Sequence, residues 1–316
     1  MAKKLKIDFN EPTTKRVKFD PALKVESICK KKLGDFPDEI LLKILGYVDT
    51  INQLQLQQVN KRFRDICQDQ SLCQRVVICN QNLPAEFLQK QLHGGCKYLN
   101  LRNCKIRNLQ LKQPVQPSKL EDLNLSLCDF DEQSLINLVL PCRSLKKMIL
   151  TNVTSSVIDL SRSKWFDCLF DRICLRNGTT LQVLSIKPLV HLGPIKAIVA
   201  HCLQLKELDV SRTSLSLENA QEIDILVENL TPKIVKFRLG QISRDITDEH
   251  VEKLVKRCNN LTVLDLSGST GLTNNSLRSI IRYLNSTLEE LGVADTQIEV
   301  DDLFESRALP RLKRLY

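Results

Sequence analysis

The stretch Val251-Glu252-Lys253-Leu254-Val255-Lys256-Arg257-Cys258-Asn259-Asn260-Leu261-Thr262-Val263-Leu264-Asp265-Leu266-Ser267 carries two apolar rhythms back to back. In its first half, Val251, Leu254 and Cys258 fall on one face of a helix. In its second half, Leu261, Leu264 and Leu266 follow apolar-x-x-apolar-x-apolar, and the last two share one face of a short strand. Only Asn259 and Asn260 separate the faces, so the unit is one helix, a tight turn and one strand. Such a unit cannot bury its apolar sides alone.

It need not, because the strand pattern recurs. It appears as Cys73/Val76/Ile78, Cys96/Leu99/Leu101, Leu120/Leu123/Leu125, Leu145/Met148/Leu150, Leu181/Leu184/Ile186, Leu205/Leu208/Val210, Ile234/Phe237/Leu239, Leu261/Leu264/Leu266 and Leu288/Leu291/Val293. A tenth begins at Leu312/Leu315. Successive anchors are 23, 24, 25, 36, 24, 29, 27, 27 and 24 residues apart. All but the 36-residue step suit a leucine-rich repeat. The helical rhythm recurs at Leu135/Leu138/Cys142, Ile195/Ile198/Cys202 and Val251/Leu254/Cys258, and with Leu for Cys at Ile223/Leu226/Leu230 and Leu277/Ile280/Leu284. Parallel strands stack about 4.8 Å apart while helices need roughly 10 Å, so a stack of such units curves with its strands inside. The fold class is therefore α/β over residues 73–316: a horseshoe with a concave parallel sheet of about ten strands and helices outside.

Two places break the rhythm. Residues 105–119 contain Pro114 and Pro117 and read as loop rather than helix. The long step carries Trp165, Phe166, Phe170 and Ile173, which read either as the core face of a longer helix or as an exposed aromatic contact site.

Residues 35–72 have a different character. Pro37 suits a first helical position, with Asp38 and Glu39 at the positive end of the helix dipole, followed by Ile40, Leu41, Ile44, Leu45 and Val48 at helical spacing. Thr50-x-x-Gln53 has the form of a capping box opening a second helix with Leu54, Leu56 and Val59. Asn60 caps a third, which carries Phe63 and Ile66. Three helices in so few residues expose more apolar surface than they cover, so they must pack on a partner, on the repeats, or on both.

Residues 1–34 read as a disordered basic leader. Residues 1–32 hold ten basic side chains against four acidic ones, so +6 of the net charge of +9 lies there. The weakly charged remainder argues against nucleic-acid binding. Lys15, Arg16 and Lys18 form a compact cluster resembling a nuclear import signal, and read equally as a solvated charge run. The N-terminus shows no secretory signal and no apolar run is long enough for a membrane span, which places the chain in the nucleus or cytoplasm. In that compartment the twelve cysteines read as reduced core thiols, with no zinc-ligand spacing and no metal or cofactor site. The four histidines are dispersed, and no catalytic residue set appears.

The helical segment resembles an F-box through Phe36-Pro37-Asp38-Glu39-Ile40-Leu41-Leu42, Ile44-Leu45, Val59-Asn60-Lys61-Arg62-Phe63 and Asp69-Gln70-Ser71-Leu72. Followed at once by cysteine-containing repeats, it is similar to the F-box/leucine-rich-repeat family. The resemblance covers residues 35–316 and implies a non-catalytic substrate receptor of an SCF-type ubiquitin ligase. The partners implied are the adaptor subunit and, through it, cullin and RING subunits, with a protein target marked for proteasomal degradation. Phe36, Pro37, Ile40, Leu41, Ile44, Leu45, Val59 and Phe63 would supply the adaptor surface and the bundle's own core between them. Cys73 stands where the family often has Trp, which implies different packing at the first repeat. Arg102, Lys187, Arg212, Lys236 and Arg238 fall on the concave face, where they either receive an acidic or phosphorylated target segment or remain ordinary solvated positions. A scaffold built on the same repeats and acting without ubiquitin is the rival reading.

Overall fold

The computed structural model describes residues 32–110, 118–154, 164–187, 193–211, 220–241, 246–300 and 308–316. The basic leader, the Lys15/Arg16/Lys18 cluster and Arg212 lie outside these. Among the described residues, no helix is long and apolar enough to cross a membrane.

The apolar-x-apolar motifs form one ten-stranded parallel sheet in strict chain order: β1 (Arg75–Val77), β3 (Tyr98–Asn100), β5 (Asp122–Asn124), β7 (Lys147–Thr151), β8 (Val183–Lys187), β9 (Glu207–Asp209), β10 (Lys236–Arg238), β11 (Val263–Asp265), β12 (Glu290–Gly292) and β13 (Arg314–Leu315). Register is fixed by the central apolar residue of each motif. Val76 pairs with Leu99, Leu99 with Leu123, Leu123 with Met148, Met148 with Leu184 and Leu184 with Leu208. The column continues through Phe237, Leu264, Leu291 and Leu315. From Val76 to Leu291 every member is buried. A one-residue slip would turn all of them to the solvent face, so this column specifies the pairing.

Seven of the motifs end, among the described residues, in the same sharp exit. Asn80, Asn103, Leu127, Asn152, Gln241, Gly268 and Asp295 all adopt positive φ, two residues beyond the last apolar anchor. Their N–H groups continue the ladder: Asn80 donates to the Arg102 carbonyl, Asn103 to Ser126, Leu127 to Thr151 and Gly268 to Ala294. Asparagine and glycine tolerate this conformation; Leu127 holds it at a cost, fixed by the repeat around it. After the first three exits the chain forms a second, three-stranded parallel sheet, β2 (Asn82–Leu83), β4 (Lys105–Ile106) and β6 (Asp129–Phe130), too short to show any alternation in sequence.

The helices α5 (Ala85–His93), α6 (Glu132–Val139), α7 (Lys164–Asn177), α8 (Gly193–His201), α9 (Ala220–Asn229), α10 (Asp248–Arg257) and α11 (Asn274–Leu284) cover the other face. Their inward side chains, Leu138, Ile198, Leu226, Leu254 and Ile280 among them, are buried, as are Cys142, Cys202 and Cys258 at the helix ends. No helix occurs between β4 and β5 among the described residues. The 36-residue step is occupied by α7, the longest helix, and Leu169, Phe170, Ile173 and Cys174 are buried by it. For Phe170 and Ile173 the core reading holds. The side chains of Trp165 and Phe166 lie outside the described set.

α7 is tied down at its end. The buried Asn177 amide accepts from Leu145 N and donates to the Cys142 and Ile173 carbonyls. Beyond it, a Cβ on Gly178 would come 2.2 Å from the His201 carbonyl oxygen and 2.7 Å from that of Cys174. Both are backbone atoms that cannot rotate away. Gly178→Ala is therefore expected to lower stability by about 2–3 kcal/mol, read as a drop in the urea midpoint at unchanged slope. Gly34→Ala is the control, since nothing lies within 4 Å of its Cβ position, and it should leave the midpoint nearly unmoved.

Candidate functional site

The N-terminal bundle consists of α1 (Asp38–Leu45), α2 (Thr50–Leu56), α3 (Lys61–Cys67) and the single turn α4 (Gln70–Cys73). Asn60 caps α3, accepting from Phe63 N at 2.8 Å. The second cap differs from the sequence expectation. Asp49, not Thr50, caps α2 by accepting from Asn52 N, which shifts the helix start one residue back. Thr50 and Gln53 are thereby released for other work. The Gln53 amide donates to the Leu45 and Val48 carbonyls and closes the end of α1. The Thr50 hydroxyl accepts from Val77 N at 3.0 Å and fastens the bundle to the first strand of the sheet. Ile51 packs against the core of the repeats from the same helix. Cys73, the first anchor in sequence, lies in α4 and is only half-buried, so strand burial begins at Val76.

Burial divides the eight residues assigned to the adaptor surface. Leu41, Leu45 and Phe63 are buried with Ile66, Cys67 and Leu72 and hold the bundle together. Of the two roles the sequence left shared among the eight, these three take the bundle's own core. Phe36 is half-buried against the same cluster, and Ile44 is half-buried. Pro37, Ile40 and Val59 face outward, with Ile40 39% and Val59 64% exposed. Two residues escaped the sequence reading: Leu33 at 41% and Tyr47 at 95% exposure. Tyr47 belongs to no apolar rhythm, because it stands in the turn after Gly46, and only its position in the fold reveals it. Arg62 pins the segment that carries Leu33: its guanidinium donates to the Gly34 and Phe36 carbonyls and pairs with Asp38 at 2.6 Å.

Between this bundle and the first three repeats runs an open groove of about 1800 Å³, bordered by Ile51, Leu54, Leu83, Phe87 and the strained Leu127.

On the concave face, the strand positions flanking the buried column are half-buried or exposed, apart from the buried Val263 and Gly292. Three of the basic residues assigned to target binding are already neutralised there. Lys187 pairs with Asp209 at 2.7 Å, Lys236 with Glu207 at 2.9 Å and Arg238 with Glu290 at 3.7 Å. Spacing along the sequence could not show this, because each pair joins neighbouring or near-neighbouring strands. Arg102 is exposed and forms no ion pair with the described residues. Asp265 lies flat between Gly240 and Gly292: a Cβ on either would come within 3.0 Å or less of its carboxylate oxygens.

Residues 33–79 match the F-box-like family model. The match covers the whole bundle and continues through β1, so the Thr50–Val77 bond lies inside it. With the parallel repeats behind it, the chain combines an F-box-like segment with leucine-rich repeats. It is also similar to the crystal structure of an internalin (InlF) from Listeria monocytogenes str. 4b F2365, at 16% identity and a TM-score of 0.37, over 89% of this chain and 88% of that one. The repeat assignment stands on the strand register rather than on that superposition.

The thiols around the F-box-like segment and repeats behave as core atoms. Burial pushes Cys96, Cys128 and Cys142 up to about 12, and Cys104 and Cys258 up to about 11. At pH 8 these groups are protonated and non-nucleophilic, since a thiol reacts only as its thiolate. Cys168 is exposed. Iodoacetamide at pH 8 is expected to modify Cys168 in the native protein while Cys96, Cys104, Cys128, Cys142 and Cys258 stay unlabelled until urea is added, as read by peptide mass spectrometry.

Proposed function

We propose that this chain is the substrate-receptor subunit of an SCF-type ubiquitin ligase. The F-box-like bundle docks on the adaptor subunit, and through it on cullin and RING subunits, while the curved sheet holds a protein target for ubiquitination and degradation. One observation carries the reading: the bundle fills its own core with Leu41, Leu45 and Phe63, yet leaves Leu33, Pro37, Ile40, Tyr47 and Val59 in solvent. An apolar set of that size on so small a unit is the signature of a surface meant to be covered.

The chemistry assigned to this chain is placement. The target's lysines are brought near a ubiquitin thioester carried by another subunit, which raises their effective concentration without any bond being made here. A rigid link between bundle and sheet serves that task, and the Thr50–Val77 bond and Ile51 supply one. The cluster Lys15, Arg16 and Lys18 supports a nuclear location for part of the population.

Replacing Ile40 and Val59 with Asp tests the docking surface. Both side chains are exposed, so the fold should survive with an unchanged circular dichroism spectrum and melting temperature. Adaptor binding, measured by isothermal titration calorimetry, is expected to weaken at least about a hundredfold, as for desolvated anchors at an interface centre. Adaptor binding equal to that of the parent chain would refute the assignment of this face. A parent chain that binds no adaptor, and that purifies without cullin, would point instead to a repeat scaffold acting outside ubiquitin transfer.

A further inference from the structure

The concave face is electrostatically divided along the solenoid, and the dividing line falls between β7 and β8. From β8 onward the cations among its described strand residues have carboxylate partners. Lys187, Lys236 and Arg238 are paired as described above, and Arg314 shares Glu290 at 3.0 Å. Over β1, β3, β5 and β7 the opposite holds. Arg75, Arg102 and Lys147 make no ion pair with any described residue, and the sole concave acid among these strands is Asp122. Arg75 lies over the Tyr98 ring at 4.3 Å, an arrangement that satisfies part of its charge and leaves its edge open.

The same strands are rich in uncommitted donors. Asn100 and Asn124 use their Oδ1 atoms to accept from Arg102 N and Ser126 N in tight turns. Their Nδ2 groups have no partner among the described residues. Val77, Tyr98 and Ile149 add half-buried apolar contact between them. Asp122 is the exception that marks the field: burial raises its carboxyl above the usual range, against the pull of Lys147 and Arg75.

We propose that the first four concave strands bind an acidic peptide segment of the target, one carrying several spaced Asp or Glu side chains in extended form. This rests on the target-receptor reading above and names the chemistry of its concave site. Spacing favours carboxylates over a single phosphate. Arg75 and Lys147 stand three strands apart, roughly 14 Å, and Arg102 lies about 13 Å further along the strand direction. The Tyr98 ring holds Arg75 in place, so the three cations do not converge on one anion. Set apart over the face as the corners of a triangle, they match several separated carboxylates of one peptide rather than one anion, with the Asn100 and Asn124 amides placed between them to bond the peptide backbone.

The test uses the full chain and fluorescence anisotropy with three labelled twelve-residue peptides: alternating Glu and Ser, alternating Lys and Ser, and Gly-Ser bearing one phosphoserine. The Glu peptide is expected to bind, more weakly as salt rises, and the other two to bind at least about tenfold less well. The triple variant Arg75→Gln, Arg102→Gln, Lys147→Gln should lose about tenfold or more in affinity, while Lys236→Gln with Arg238→Gln should change it less than about twofold. Asp122→Asn should tighten binding about threefold, an outcome that damage to the fold would not produce. No binding of the Glu peptide, preference for the phosphoserine peptide, or greater sensitivity to Lys236 and Arg238 than to the triple variant would each overturn the proposal. Adaptor binding by the same variants is measured alongside. If it persists while peptide binding fails, only this inference falls; if the parent chain fails to bind adaptor, the receptor reading falls by itself.

Discussion

A single column of buried side chains organises the molecule. Val76, Leu99, Leu123, Met148, Leu184, Leu208, Phe237, Leu264 and Leu291 stack at the strand repeat, each in register with the next. Because strands pack more closely than the helices behind them, the column forces curvature, and curvature creates a concave face. The positive-φ exits at Asn80, Asn103, Leu127, Asn152, Gln241, Gly268 and Asp295 follow from the same stacking, since each must leave the sheet at the same height. A solenoid of this kind is stiff along its length because each unit is buried by its neighbours. The bundle at its end inherits that stiffness through Thr50 and Ile51.

Polarity divides the molecule into surfaces with separate roles. The bundle's apolar side chains fall into an inward set, which makes it a folded unit, and an outward set, which makes it an incomplete one. Among the described residues, the concave face falls into a half whose strand cations are ion-paired within the protein and a half whose cations form no ion pair. Under the proposed function, a target held on that half would sit beside the bundle, close to the proposed adaptor surface. Nearness of the two contacts would shorten the lever between the held target and the ligase machinery, which matters when the function is placement.

Much of this architecture was legible in the residues. Repeating apolar anchors at nearly constant spacing predict strands, their order and their face, because periodicity in sequence maps directly to burial in a one-dimensional stack. The same reasoning assigned Cys142, Cys202 and Cys258 to the core. What stayed hidden depends on contacts between distant residues or on single backbone torsions. The Asp49 cap was hidden because Thr50 is an equally good capping residue and only geometry chooses between neighbours. The division of Leu41, Leu45 and Phe63 from Ile40 and Val59 was hidden because helical spacing marks apolar positions without saying which of them the bundle's other helices cover. Lys187, Lys236 and Arg238 looked open in sequence because their partners lie on other strands, 22, 29 and 52 residues away.

The central claim is mechanical: a partner covers the outward face of the bundle while the curved sheet behind it stays free to hold something else. Hydrogen–deuterium exchange of the full chain, with and without the purified SCF adaptor subunit, measures that most directly. Slowed exchange confined to amides around Leu33–Val48 and Gln57–Phe63, with unchanged rates in the concave strands from Tyr98 onward, is the expected result. Protection spread over the concave strands, or no protection in the bundle at saturating adaptor, would contradict it.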